Sequence, residues 1–311
     1  MSFSLSFLRR PRWLATLFLL VAATAFGKAW HLDDRAWFWL QEQGTSDAER
    51  AASIWLPGYQ AVVQAKPLSG LDDDETSDLT YNPASKTLFT VTGRNPKLVE
   101  LSLDGQILRR IPLHGFSNPE GVAMLADGYL GITDERRRTL SVFELTDLTD
   151  ELDAADAMEL DLGFPDSGNK GFEGIAWDPA QQRLLLGKER SPLSLFSWSS
   201  IDGQRFDGAL EPLPSDRLYL RNLSALSVDP RTGHTLVLSA QSNLLLEIDE
   251  HGEPVSFISL IGGLNGLDRR IPRAEGVAID EQGTIYMVSE PNLFYVFRKE
   301  DAPSATVADA G

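Results

Sequence analysis

Seven acidic side chains recur at matching places in this chain, and they are its best candidates for chemistry. Glu120, Glu173 and Glu275 each stand before a glycine in three similar stretches, Pro119–Ala123, Phe172–Ala176 and Ala274–Ala278. Glu135, Glu189 and Glu290 follow them at separations of 15, 16 and 15 residues. Asp78 takes the same place in a weaker copy, Ser77–Tyr81. A fifth copy, Leu223–Ser227, carries Ser224 there, with Gln241 where the others have the second acid. Carboxylates gathered from separate segments supply hard oxygen donors, the set that calcium takes six to eight at a time with flexible geometry.

Stepping outward from the acids, positions 78, 120, 173, 224 and 275 mark a repeat of 42, 53, 51 and 51 residues. Each copy is followed by a turn signal such as Asn82-Pro83, Asp178-Pro179 or Asp229-Pro230, then by β-rich runs such as TLFTVT, RLLLGK and TIYMVS. Short strands at even spacing with turns between them predict four-stranded antiparallel blades. The last repeat lacks a fourth strand, while Tyr59–Pro67 forms an orphan strand before the first. Pairing the two closes the ring and removes both edges. The expectation is an all-β, five-bladed β-propeller over residues 58–300, closed by an N-terminal strand. A sixth blade between Thr146 and Gly171 is the alternative.

In such a blade the start of the innermost strand lies beside the end of the second, so the paired acids meet at one face near the axis. Like charges there repel unless neutralised. Three means are open: a calcium ion, arginines such as Arg94, Arg136 and Arg190, or backbone N–H groups. Glu120, Glu173 and Glu275 open their strands nearest the axis, and Glu135 and Glu189 adjoin arginines. The glycine after each opening acid reads as a packing position where inner strands crowd. His114 precedes Glu120 by six residues and is either a general base or a solvated loop histidine; His31, His234 and His251 lie elsewhere. The runs Asp72–Glu75 and Asp147–Asp161 read as solvated charge. No serine-nucleophile elbow, phosphate-binding loop or zinc-protease motif is present.

Composition excludes more than it includes. The chain has 28 Lys and Arg against 45 Asp and Glu, a net charge of −17. Such a body repels phosphate backbones, which argues against nucleic-acid binding. With no cysteine, disulfides and thiolate metal sites are absent. The N-terminus differs: Arg9, Arg10 and Arg12 precede an apolar run from Trp13 to Gly27. This is either a transmembrane anchor with the body in the periplasm or a signal peptide cleaved after Ala23-Thr24-Ala25. Trp13, Trp30, Trp37 and Trp39 suit an interfacial belt and favour the anchor. The expected organisation is an anchor or signal at 1–30, a helical neck at 31–57, the propeller, and a disordered tail at 301–311.

The three EG[VI]A copies, the strand ends TDER, KER and SEPN, and the orphan strand resemble the SdiA-regulated (YjiK-like) family of bacterial proteins. The resemblance covers about residues 58–300. It implies a five-bladed propeller with a bound calcium ion, Glu120, Glu173 and Glu275 as candidate ligands, and Glu135, Glu189, Glu290 and Asp78 next. It brings no biochemical activity with it, nor does a fold supply one. Two functions are therefore expected to compete. One is a membrane-tethered, calcium-binding module that takes a small-molecule ligand or an envelope protein. The other is a calcium-dependent hydrolase of a small ester or phosphoester.

Overall fold

A computed structural model describes residues 12–29, 32–163, 171–190 and 192–299. Five antiparallel sheets stand around one axis. Their innermost strands are Thr76–Asn82, Pro119–Met124, Phe172–Asp178, Ala225–Val228 and Ala274–Ile279, in blades one to five. The fifth blade is completed from the N-terminus: Tyr59–Pro67 pairs antiparallel with Leu293–Lys299, Tyr59 opposite Lys299 and Pro67 opposite Leu293. The described residues of the stretch from Thr146 to Gly171 hold no sixth blade. Its strand Met158–Asp161 is the outer edge of blade two, and Leu152–Asp153 runs parallel to the outer edge of blade one. Residues 164–170 of that stretch, and the tail beyond residue 299, lie outside the described residues.

The inner hairpins are set by short polar side chains that close the turn on themselves. Asn82 accepts from the Ala84 N–H, Asp178 from Ala180 and Gln181, Asp229 from Arg231, and Asp280 from Gln282 and Thr284. The strands that follow carry apolar residues on both faces, because each blade is packed between two others. Leu88 and Val99 of blade one, for example, share a buried cluster with Tyr286 and Phe294 of blade five.

Two short helices precede the closing strand, and the first of them lies on blade four. Helix α1 covers Arg12–Ala29, α2 Leu32–Glu42 and α3 Asp47–Ala52. Phe38 of α2 is buried against Phe257, and Glu42 accepts from the Phe257 N–H. A reciprocal Ser46–Glu49 capping box starts α3. Beyond it, the buried Glu247 carboxylate accepts from the Ile54 and Trp55 N–H groups and the Ser256 hydroxyl, and contacts His234 Nδ1 at 2.7 Å. That charged hub delivers the chain to its closing strand. Leu14, Leu17, Phe18, Leu19, Leu20 and Val21 of α1 are all exposed. Among the described residues no helix is long and apolar enough to cross a membrane.

The glycines after the opening acids are packing positions. A Cβ on Gly174 would lie 2.7 Å from Ala225 Cα, on Gly276 2.5 Å from the Asp78 carbonyl carbon, and on Gly121 2.7 Å from the Glu173 carbonyl oxygen. All three collisions are with the backbone of another inner strand, which has nowhere to retreat. Gly174→Ala is expected to cost about 1–3 kcal/mol by overpacking, read from denaturant unfolding. An unchanged unfolding midpoint would contradict the crowding.

Candidate functional site

Asp78 sits deepest and is a brace. Its carboxylate is fully buried and accepts from Leu79 N–H (2.8 Å), Val122 N–H (3.0 Å) and Ile175 N–H (3.4 Å). It thus ties blades one, two and three together across the axis. Burial pushes its pKa well up, against the pull of those three donors. The strand carrying it bulges between Ser77 and Thr80, and Asp78 takes a left-handed φ of 40°. These features turn the side chain inward.

Glu120, Glu173 and Glu275 lie together at the mouth above it. Glu120 accepts from Ser77 Oγ at 2.7 Å and Asn118 Nδ2 at 2.6 Å. Its pKa rises to about 7, chiefly through burial and further through Glu135 and Glu290. Glu275 also rises to about 7; burial leads, a Ser224 hydrogen bond opposes it, and Glu290 adds to it. Glu173 rises to about 10, through burial first and then the charges of Glu189, Glu275, Glu120 and Glu135. Those neighbours show that the three opening acids feel one another. No hydrogen bond or ion pair of the Glu173 carboxylate offsets them among the described residues.

The closing acids are already engaged. Glu135 accepts from Asn118 Nδ2 and the Gly171 N–H, at 3.1 Å each. Glu189 is buried, with Arg190 Nε at 3.0 Å. Glu290 is paired with Arg273, whose Nε also lies 3.8 Å from Glu275. Of the arginines singled out in the sequence, Arg190 neutralises an axial acid, whereas Arg94 pairs with Glu75 at 2.6 Å. Arg273, Asn118 and Ser77 were not foreseen. All three lie within three residues of an opening acid, which is the local signal that could have found them. In blade four, Ser224 and Gln241 stand at the mouth with Asn222, whose side chain bonds Ser224 and Ser239.

Beside the acids lies a polar cavity of about 640 Å³. Glu173 and Glu275 line it together with Arg190, Arg270, Arg273 and Gln241. The chemistry available is charge neutralisation and hydrogen bonding. His114 does not contribute, for its imidazole is half exposed and 3.5 Å from Glu151. The Asp72–Glu75 run is not merely solvated: buried Asp74 pairs with Lys97 at 2.7 Å, and Asp72 accepts from Asn292.

These residues fit a divalent cation in donor type. Three half-buried carboxylates, one of them without a partner among the described residues, offer up to six hard oxygens, and a cation would offset their mutual repulsion. As they stand, no group of three histidines, aspartates or glutamates among the described residues is gathered closely enough to hold an ion. The three glutamates would have to close in to share one.

The chain matches the SdiA-regulated family over residues 51–298 and belongs to it. Among solved structures it is similar to a nidogen/laminin complex, at 16% identity over 70% of this chain and 72% of that one, with a TM-score of 0.47. It is also similar to a catalytically inactive virginiamycin B lyase from Staphylococcus aureus with quinupristin. There the identity is 14%, the coverage 79% and 76%, and the TM-score 0.42.

The raised pKa values set a pH dependence. A carboxyl that holds its proton more tightly folded than unfolded stabilises the fold at low pH, and that contribution is lost as pH rises through the folded value. For chelator-treated protein, thermal stability should fall as pH rises from about 4.5, the ordinary carboxyl value, to about 7, where Glu120 and Glu275 have ionised, and more gently from there to about 10, where only Glu173 still contributes. Glu173→Gln should flatten the upper part of the curve. Stability that rises with pH over this range would contradict the assignment.

Proposed function

We propose that this chain is a propeller of the bacterial cell envelope whose axial mouth holds a calcium ion and uses it to bind a ligand, a small molecule or an envelope protein. One observation supports the reading: three glutamates from blades two, three and five share one mouth, and among the described residues Glu173 has no hydrogen-bond or ion-pair partner. A fold that wanted only to neutralise these acids could have done so as it does at Glu290 and Glu189, with an adjacent arginine. Calcium supplies positive charge without demanding rigid ligand geometry. The neighbouring cavity, with Arg270, Arg273 and Gln241 at its edge, is large enough for a small ligand to reach the ion.

The N-terminal segment supports an envelope location. Arg9 and Arg10 precede α1 and Arg12 opens it, and the exposed leucines and Phe18 of that helix are poorly suited to water. Either an anchor or an export signal accounts for that pattern, and both place the propeller in the periplasm.

A second reading is calcium-dependent hydrolysis of a small ester or phosphoester. The cavity favours it, because Arg190 and Arg273 could hold an anionic group beside the acids. When bound, calcium supplies Lewis-acid polarisation of the substrate oxygen.

Calorimetric titration of calcium into the chelator-treated full chain tests the binding reading. One site should appear, accompanied by a rise in melting temperature, and both should vanish in a Glu120→Gln, Glu173→Gln double variant. No heat and no shift in melting would overturn it. Turnover of a chromogenic ester or phosphoester that depends on calcium would move the weight to hydrolysis.

A further inference from the structure

The axis has a second mouth, on the face away from the acids, and Asp78 separates the two. Below Asp78 the inner strands present Tyr81, Met124, Trp177, Val228 and Ile279, one from each blade, around a cavity of about 440 Å³. The floor includes Leu79, Ile175 and Leu226, which are buried in the blade interfaces. Trp177 and Tyr81 are half-buried: both line the cavity and also pack against the neighbouring blade-interface clusters. A second cleft of about 540 Å³ shares Pro83, Met124, Leu125 and Asp127 with it, and continues between blades one and two as far as Asp147.

The charges at this mouth have one sign. Asp127 and Glu281 line the main cavity, Asp147 lines its extension, and neither contains a lysine or arginine. Asp127 and Glu281 are both exposed at the rim. Lys86 is near enough to act on Glu281 but does not line the cavity. Arg183 and Arg231 are held by Asp178 and Asp229 at the hairpin turns. An apolar, partly aromatic pocket under an acidic rim selects a ligand with an apolar body and a cationic end. Aromatic faces attract such cations through their quadrupole, and carboxylates at the rim add to that while repelling anions.

From this arrangement we propose that the mouth opposite the acids is a binding site for a small aromatic amine, its ring against Trp177 and Tyr81 and its ammonium toward Asp127 and Glu281. The site is independent of the calcium reading, because the buried Asp78 lies between the two mouths.

Tryptamine and indole-3-propionate carry the same ring with opposite charge, and they are the probes for a calorimetric titration of the full chain. Tryptamine should bind at least about tenfold more tightly than the acid, a difference of about 1.4 kcal/mol. Trp177→Ala should weaken tryptamine by a similar factor. An Asp127→Asn, Glu281→Gln variant changes only rim side chains, and should erase the preference for the amine. Saturating calcium should leave tryptamine affinity unchanged. Failure of tryptamine to bind at millimolar concentration, equal binding of the two probes, or indifference to both variants would overturn the proposal. So would competition by calcium, which would put the amine in the acidic mouth.

Discussion

Everything in this propeller answers to the crowding of five inner strands around one axis. Where the strands approach most closely there is no room for a Cβ, and glycine follows the opening acid in blades two, three and five. The same closeness lets one aspartate reach three backbone N–H groups in three blades, so that Asp78 closes the channel halfway along. Ring closure is part of this constraint. The strand Tyr59–Pro67 must be in place on blade five, and its approach is fixed by the Glu247 hub beneath α3.

Crowding also sets the electrostatics. Side chains that open the inner strands on one face cannot avoid one another, and burial removes the water that would screen them. The chain resolves this locally for most of the acids, with Arg273 at Glu290, Arg190 at Glu189 and Asn118 at Glu135. It leaves the problem open at Glu173, which is flanked by four other glutamates. On the far side of Asp78 the same strands present apolar side chains instead: Met124, Trp177 and Ile279 follow their opening acids by four residues, Tyr81 follows Asp78 by three, and all line the opposite mouth. One repeat thus builds two chemically different openings.

Much of this was legible in the sequence. The blade count, the closing strand and the packing role of the glycines follow from the spacing of the repeats and from the orphan strand at Tyr59–Pro67. The convergence of Glu120, Glu173 and Glu275 follows from hairpin geometry. Other features were hidden because they depend on contacts between distant segments. The role of Asp78 arises from a bulge between Ser77 and Thr80 that no composition signals. Arg273 holds Glu290, seventeen positions on, and the docking of Phe38 on Phe257 joins residues more than two hundred positions apart. The Thr146–Gly171 stretch was ambiguous because short edge strands carry little periodicity, and only its pairing with the outer edges of blades one and two resolves it.

The central claim is that Glu120, Glu173 and Glu275 close around one calcium ion, and anomalous diffraction from crystals grown in calcium tests it most directly. The account predicts a single strong anomalous peak at the axial mouth, within about 2.3–2.6 Å of oxygens from all three glutamates. It also predicts that Asp78 will keep its backbone bonds below the ion. A map with no peak there, or a peak bound by other residues while the three glutamates remain apart, would contradict it.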